Sequence, residues 1–229
     1  TAWTDAVGNT ASEWDVVAYK YGGSTLIYNI LDEINVEVAS AIDVGKNGRI
    51  YIPSEIQRND TTYYVLGVGD NAFSGNTDIK QVDFEENIDL QYIGEGAFSG
   101  CSNLKEIELP DTLKTVKTNA FYNCNGIQTM NFPTSITAIG NNAFSGCINW
   151  KLENITFSEN IAELGQNAFY NCKYLTGTLE FPSVFTEVPS NCFYGTGFSE
   201  IKLPDTVTTI KNGAFQRCLE LEKINIKII

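Results

Sequence analysis

Apolar residues return along most of the chain at a regular interval, and each interval repeats the same order of apolar and polar positions. The clearest mark is alanine followed by phenylalanine. It occurs at residues 72–73, 97–98, 120–121, 143–144, 168–169 and 214–215, and Cys192-Phe193 stands in its place once. The spacings of 25, 23, 23, 25, 24 and 22 residues indicate about seven copies of one structural unit.

The unit that begins at Cys101 shows the pattern most clearly, as C-x-x-L-x-x-I-x-L-P-x-x-L-x-x-I-x-x-x-A-F. Its first apolar positions end at Pro110, which predicts a short strand that the proline terminates. A second apolar pair, Leu113 and Val116, then brings the chain back to the next Ala-Phe. Equivalent strands are predicted around Val82, Ile107, Met130, Ile155, Leu179, Ile201 and Ile224.

A single unit cannot bury its apolar positions alone, so the copies are expected to stack around one continuous core. The period lies in the range of leucine-rich repeats and below that of paired-helix repeats. The sequence therefore predicts a right-handed leucine-rich-repeat solenoid, either α/β or mainly β, over residues 50–229. Residues 1–49 are expected to form an N-terminal segment and a β-rich cap, with strands at Leu26–Leu31 and Ile34–Ala39.

Five of the six cysteines occupy one position of the unit, namely Cys101, Cys124, Cys147, Cys172 and Cys218. Asn76 and Thr196 fill that position in other copies. Cys, Asn and Thr are all small and able to form hydrogen bonds, which predicts a buried position in a tight turn. We expect free thiols and no metal site, because the chain has no C-x-x-C pair and no histidine.

The A-F-x-x-C signature and the L-x-x-I-x-L-P-x-x-L-x-x-I body resemble the BspA-type leucine-rich repeats of bacterial surface proteins. The resemblance extends from Ile50 to Ile229. The segment from Tyr51 is similar to the opening repeat of that family, in which a hairpin-like extension precedes the first Ala-Phe. The resemblance implies an extracellular or surface-anchored adhesion protein, with its signal or lipid anchor removed, that binds host or extracellular-matrix proteins.

Composition narrows the classes of function. The chain has 15 basic and 28 acidic residues, a net charge of −13, and no histidine. This acidity disfavours a nucleic-acid partner, and no apolar run is long enough to span a membrane. Without histidine or a phosphate-binding loop, neither catalysis nor a cofactor is expected. Glu106 and Glu108 share one predicted strand face, where they suit either a carboxylate-dependent glycoside hydrolase or a solvated surface.

The polar residues between the apolar positions of each strand point outward, and stacking aligns them into columns that form an extended binding surface. The candidate binding residues are Gln81, Asp83, Glu106, Glu108, Thr129, Asn131, Asn154, Thr156, Thr178, Glu180, Glu200 and Lys202. These columns contain no aromatic residue, although aromatic residues are common binding anchors. Tyr122, Tyr170 and Tyr194, each directly after a phenylalanine, form a second candidate row or pack at the turn.

Two functions stay open at this point: a protein-binding or adhesion module, and a structural spacer or scaffold within a larger surface protein. The last predicted strand, Leu221–Ile229, shows no cap. An uncovered strand edge invites pairing, so an oligomer through this edge is a further expectation, which Lys223 and Lys227 oppose.

Overall fold

The computed structural model describes residues 16–21, 23–45 and 47–225. Within these ranges it contains nineteen β-strands and no helix. The described residues therefore include no helix that could cross a membrane. The chain is therefore a mainly β solenoid. The first ten strands are β1 (Val16–Tyr21), β2 (Ser24–Ile30), β3 (Asn35–Asp43), β4 (Arg49–Ile52), β5 (Glu55–Arg58), β6 (Thr61–Val68), β7 (Gln81–Phe84), β8 (Tyr92–Ile93), β9 (Glu106–Ile107) and β10 (Thr115–Val116). The others are β11 (Thr129–Met130), β12 (Ala138–Ile139), β13 (Leu152–Thr156), β14 (Glu163–Leu164), β15 (Leu175–Glu180), β16 (Glu187–Val188), β17 (Gly197–Lys202), β18 (Thr209–Ile210) and β19 (Lys223–Asn225).

The first strands form an antiparallel sheet that continues into the solenoid. β1 pairs with β2 and β2 pairs with β3, so β2 and β3 lie close to the two strands predicted at this end, and β1 precedes them. β3 also pairs in parallel with β6, which forms a hairpin with β5. One sheet therefore runs from the N-terminal strands into the first turns of the repeat.

Each turn of the solenoid contributes one strand to each of two parallel ladders. The front ladder runs β4-β7-β9-β11 and then β13-β15-β17-β19, whereas the back ladder runs β6-β8-β10-β12-β14 and then β16-β18. The sequence pattern predicts the front strands. It indicates only a return of the chain where the back strands lie, because two residues are too short to show an alternation.

The third side of each turn is the Ala-Phe corner, which runs from the residue before the alanine to the cysteine position. Its backbone N–H groups donate to carbonyls of the next turn, as Phe98 N does to Ala120 O at 2.8 Å. This series of hydrogen bonds continues without a gap from Asn71 to Gln216. The corner phenylalanines stack inside the core, and the ring centroids of neighbouring turns lie between 5.1 and 5.8 Å apart.

Two residues of every corner have a left-handed backbone conformation. In the third corner they are Asn119, with φ of 56°, and Asn123, with φ of 57°. Glycine and asparagine tolerate this conformation better than other residues, so one of them stands at these two positions in nearly every copy. Arg217, with φ of 60°, is the exception among the described corners.

Each ladder is interrupted once, and the two breaks lie at different turns. The front ladder breaks between β11 and β13, where extra residues follow Trp150 and its buried indole Nε1 donates to Met130 O at 2.8 Å. The back ladder breaks between β14 and β16, at Pro189. Gly165 and Lys211 occupy the same repeat position as Pro189 in other turns. Each donates its backbone N–H to the preceding turn, a hydrogen bond that proline cannot make.

Candidate binding face

The predicted binding residues lie on the outer side of the front ladder. Its parallel register aligns Gln81, Glu106 and Thr129 in one row, Thr178 and Glu200 in a second, and Thr156, Glu180 and Lys202 in a third. The break between β11 and β13 divides this front face into an N-terminal block and a C-terminal block. The structure thus assembles the predicted columns as two blocks rather than as one continuous surface.

The N-terminal block surrounds an open depression of about 260 Å³. Its polar lining consists of six predicted residues: Gln81, Asp83, Glu106, Glu108, Thr129 and Asn131. A neighbouring depression of about 450 Å³ shares three of them and adds Glu85, Glu86 and Asp111. Carboxylates gathered on one surface produce a negative potential that attracts cationic groups.

The first turn extends this block with two residues that the sequence-based columns omit. In the register of β4 and β7, Arg49 lies beside Gln81 and Tyr51 lies beside Asp83. The Arg49 guanidinium also forms an ion pair with the Asp83 carboxylate. The first turn therefore adds an aromatic residue to the front face, beyond the columns predicted from the sequence, which begin at Gln81 and Asp83. The apolar-x-apolar-Pro pattern that ends at Pro53 is the signal that places Tyr51 among the outward positions.

Two of the predicted residues form side-chain hydrogen bonds to the backbone of a neighbouring turn. The side-chain amide of Asn131 accepts from Leu109 N at 2.6 Å and donates to Leu109 O at 2.8 Å. Asn154 lies at an irregularity of β13 with φ of 65°, and its side-chain oxygen accepts from Thr178 N at 2.7 Å. Both side chains stabilise the front ladder.

The two blocks differ in how their charges are compensated. In the C-terminal block, Lys202 lies 3.8 Å from the Glu180 carboxylate, and Lys223 donates to Glu200 at 2.6 Å. The hydrogen bond from Lys223 lowers the pKa of Glu200. In the N-terminal block, Glu106 and Glu108 are exposed, and neither forms an ion pair with any described residue. Glu106 and Glu108 are therefore two neighbouring uncompensated carboxylates of the N-terminal block.

The six cysteines lie within the packed turns of the solenoid, and only Cys218 is partly exposed. All six are free thiols, and each of the five that share one repeat position donates to a phenylalanine carbonyl, as Cys124 Sγ does to Phe98 O at 2.9 Å. Burial raises the pKa of the Cys101 thiol to about 12 and that of Cys124 well above its ordinary value. Within the described ranges, no group of three or more potential ligands could hold a metal ion.

Comparison with known proteins agrees with this architecture. The model of the BspA type leucine rich repeat region matches residues 66–176 and 148–228, with six copies. A leucine-rich repeat protein from Bacteroides ovatus has a similar structure, with 27% identity, a TM-score of 0.77, and coverage of 91% of this chain and 53% of that protein. The leucine-rich repeat protein of T. pallidum is 25% identical, with a TM-score of 0.68 and coverage of 86% and 87%.

This chain thus spans about half the length of the B. ovatus protein. None of the curated proteins matches it. The matched repeat region covers well over half of the chain and includes most of the turns that form the two ladders. The chain belongs to the BspA-type leucine-rich-repeat family.

Proposed function

We propose that this chain is a non-catalytic extracellular module of a bacterial surface protein, and that it binds another protein through the N-terminal block of its front face. The observation that carries the proposal is the open depression that six predicted residues line. The resemblance of the repeats to bacterial surface proteins supports the extracellular location.

The charges of the block favour a partner with a basic surface. Glu106 and Glu108 are exposed and uncompensated, and the chain as a whole carries a net charge of −13. Opposite charges steer two proteins together and increase the association rate constant. Tyr51 and Arg49 at the first turn belong to the residue types that most often dominate binding energy. A lysine- or arginine-rich segment that lies across the depression is complementary to the carboxylates of Glu106 and Glu108.

The position of the two glutamates also supports binding rather than hydrolysis. Glu106 and Glu108 stand two residues apart on one strand, point to the same side and border an open depression. Glycosidases need two carboxyl groups that flank the scissile bond. Glu106 and Glu108 border a depression that is open to solvent, so we favour binding over hydrolysis there.

Binding to a panel of purified extracellular-matrix proteins, measured by biolayer interferometry, tests the proposal. For any partner found, the double variant Glu106→Lys/Glu108→Lys should weaken binding by about tenfold or more, mainly through slower association, and reduce its salt dependence. The matched control is Glu95→Lys/Glu163→Lys, which makes the same charge change at exposed positions away from the front face. Equal loss in both variants, or no binding to any panel member, would contradict the proposal.

A further inference from the structure

A second surface with binding features lies on the Ala-Phe corners of the last turns. Tyr170 and Tyr194 occupy the same position of successive corners, and their rings stack with centroids 4.6 Å apart and an interplanar angle of 10°. In the next turn, the Arg217 guanidinium lies over the Tyr194 ring, 5.8 Å from its centroid. The three planar groups form one stack along the solenoid, which we call the corner stack.

The polar edges of the corner stack are available to a ligand. Neither the Tyr170 nor the Tyr194 hydroxyl forms a hydrogen bond with a described residue, and Arg217 is exposed and forms no ion pair with one. An unpaired arginine is notable in a chain with a net charge of −13. Stacking occupies ring faces, so the phenol hydroxyls and the guanidinium N–H groups are what remains for recognition.

The backbone of Arg217 is strained in a way that the other corners avoid. Its φ of 60° belongs to the left-handed region, where a long side chain is unfavourable. The same position in the other corners is always glycine or asparagine: Gly75, Gly100, Asn123, Gly146, Asn171 and Gly195. Strained residues concentrate at functional sites, where the strain is part of the function. From this backbone conformation, the side chain of Arg217 extends over the Tyr194 ring.

We propose that the corner stack binds an acidic sugar, such as a uronic-acid residue of an anionic polysaccharide. A guanidinium binds a carboxylate through two parallel N–H···O hydrogen bonds. The two neighbouring phenol hydroxyls, each both a donor and an acceptor, pair with the hydroxyl groups of the same sugar chain. An acidic peptide offers the carboxylate without the row of hydroxyls. This site lies on the corner side of the solenoid and does not depend on the front face.

Isothermal titration calorimetry with the full chain and tetragalacturonic acid tests this proposal. We expect saturable binding of the acidic tetramer. Two comparison ligands separate the carboxylates of the acidic tetramer from its hydroxyl groups. The fully methyl-esterified tetramer has the hydroxyls without the charge, whereas tetraglutamate has the charge without the hydroxyls. Each of these two ligands should bind at least about tenfold more weakly than tetragalacturonic acid. Absence of binding by the acidic tetramer, or equal binding of tetraglutamate, would overturn the proposal.

Arg217→Gly is the decisive variant, because it removes the cation and introduces the residue type that other corners use at this position. It should fold at least as stably as the wild type and bind tetragalacturonic acid about tenfold more weakly. Tyr170→Phe/Tyr194→Phe, which keeps the stacked rings and removes the hydroxyls, should also weaken binding. Lys114→Gln removes an exposed cation elsewhere and should leave affinity unchanged. Unchanged affinity in Arg217→Gly would refute the site.

Discussion

At the scale of single residues, the cysteine position shows how one small side chain joins neighbouring turns. Cys147 Sγ donates to Phe121 O at 3.3 Å and Cys172 Sγ to Phe144 O at 3.1 Å, so each thiol reaches the preceding corner. Thr196 makes the analogous bond to the phenylalanine carbonyl of its own turn at 3.0 Å. The position therefore needs a small hydrogen-bond donor, which explains why cysteine recurs there without forming disulfides.

We predict that only one thiol of the native protein reacts rapidly with Ellman's reagent at pH 8. The thiolate is the reactive form, and burial raises the thiol pKa of the five buried cysteines, namely Cys101, Cys124, Cys147, Cys172 and Cys192. These groups stay protonated at pH 8, which lies well below their raised pKa values. Cys218 is only partly buried, so it should react in the fast phase. The absorbance of the released product measures the reaction.

Two controls accompany this labelling. Cys218→Ser should remove the fast phase while the slow reaction of the remaining thiols is unchanged. Unfolding the wild type in urea should make all six thiols reactive. More than one rapidly reacting thiol in the folded wild type would contradict the burial argument.

A second residue-scale contact joins the first strands to the repeats. The Tyr92 hydroxyl donates to the Glu37 carboxylate at 2.7 Å, and the Tyr92 ring lies directly over Gly67. A Cβ at position 67 would come within 2.3 Å of Cζ of that ring. Glycine is therefore required at position 67 as long as Tyr92 reaches Glu37.

A double-mutant cycle tests this contact. Tyr92→Phe should lower the free energy of unfolding by about 0.5–1.5 kcal/mol, the usual contribution of one hydrogen bond. Gly67→Ala should lower it by about 1–3 kcal/mol, because the added methyl displaces the ring. The double variant should be little less stable than Gly67→Ala alone, since displacement already breaks the bond to Glu37. Additive losses in urea unfolding would disprove this coupling.

At the scale of elements, the continuous feature of the molecule is the Ala-Phe corner, not either ladder. The front ladder stops at Trp150 and the back ladder at Pro189, whereas corner hydrogen bonds join every described turn from Asn71 to Gln216. Because the breaks lie at different turns, each turn stays joined to its neighbours by at least two of its three sides. The stack tolerates local irregularities for this reason.

We predict that Trp150→Phe destabilises the protein by about 1–3 kcal/mol, because the Met130 carbonyl loses its buried donor. The indole hydrogen bond is 2.8 Å long, and Trp150 is fully buried. Urea unfolding measures the loss. Hydrogen exchange should also accelerate at the Lys151 amide, which donates to Gln128 O at 3.0 Å beside the break.

Met130→Leu is the matched control for this variant. It changes the side chain of the acceptor residue but keeps its carbonyl, the indole bond and nearly the same buried volume, so its cost should stay below about 1.5 kcal/mol. A Trp150→Phe variant no less stable than this control would show that the indole bond does not support the front ladder.

At the scale of the whole molecule, each turn contacts mainly its two neighbours, so the stability of a solenoid is close to a sum over turns. Deletion of residues 119–141 should therefore leave a folded protein with one turn fewer. The deletion joins Thr118 to Asn142, and Asn119 and Asn142 are equivalent residues with the same left-handed conformation. The urea m-value should fall by about a tenth, in proportion to the surface removed.

Deletion of residues 119–130, about half a turn, is the comparison. This deletion shifts every later strand out of register with its ladder, because the inward-facing residues of the later turns no longer stack on those of the earlier turns. This shorter deletion should abolish cooperative unfolding, as followed by circular dichroism. If both deletion variants unfold alike, the turns are not independent units of stability.

The spacing of apolar residues alone determined the period, the inward positions, the front strands and the role of the cysteines. These features are local: one copy contains its own strand and its own corner, and repetition makes the pattern visible. The outward columns of the front face also follow from the alternation within each strand, so the residues that line the depression, including Glu106 and Glu108, were predictable.

Only the tertiary structure decided which turns lie beside one another without a break and which polar groups are left unpaired. The two-residue back strands are defined by pairing between turns rather than by their own sequence. The front ladder breaks where the Trp150 indole donates to the Met130 carbonyl of the preceding turn. The back ladder breaks where Pro189 has no N–H to donate. The corner stack depends on a strained backbone at Arg217 and on contacts between residues more than twenty positions apart, which no local pattern specifies.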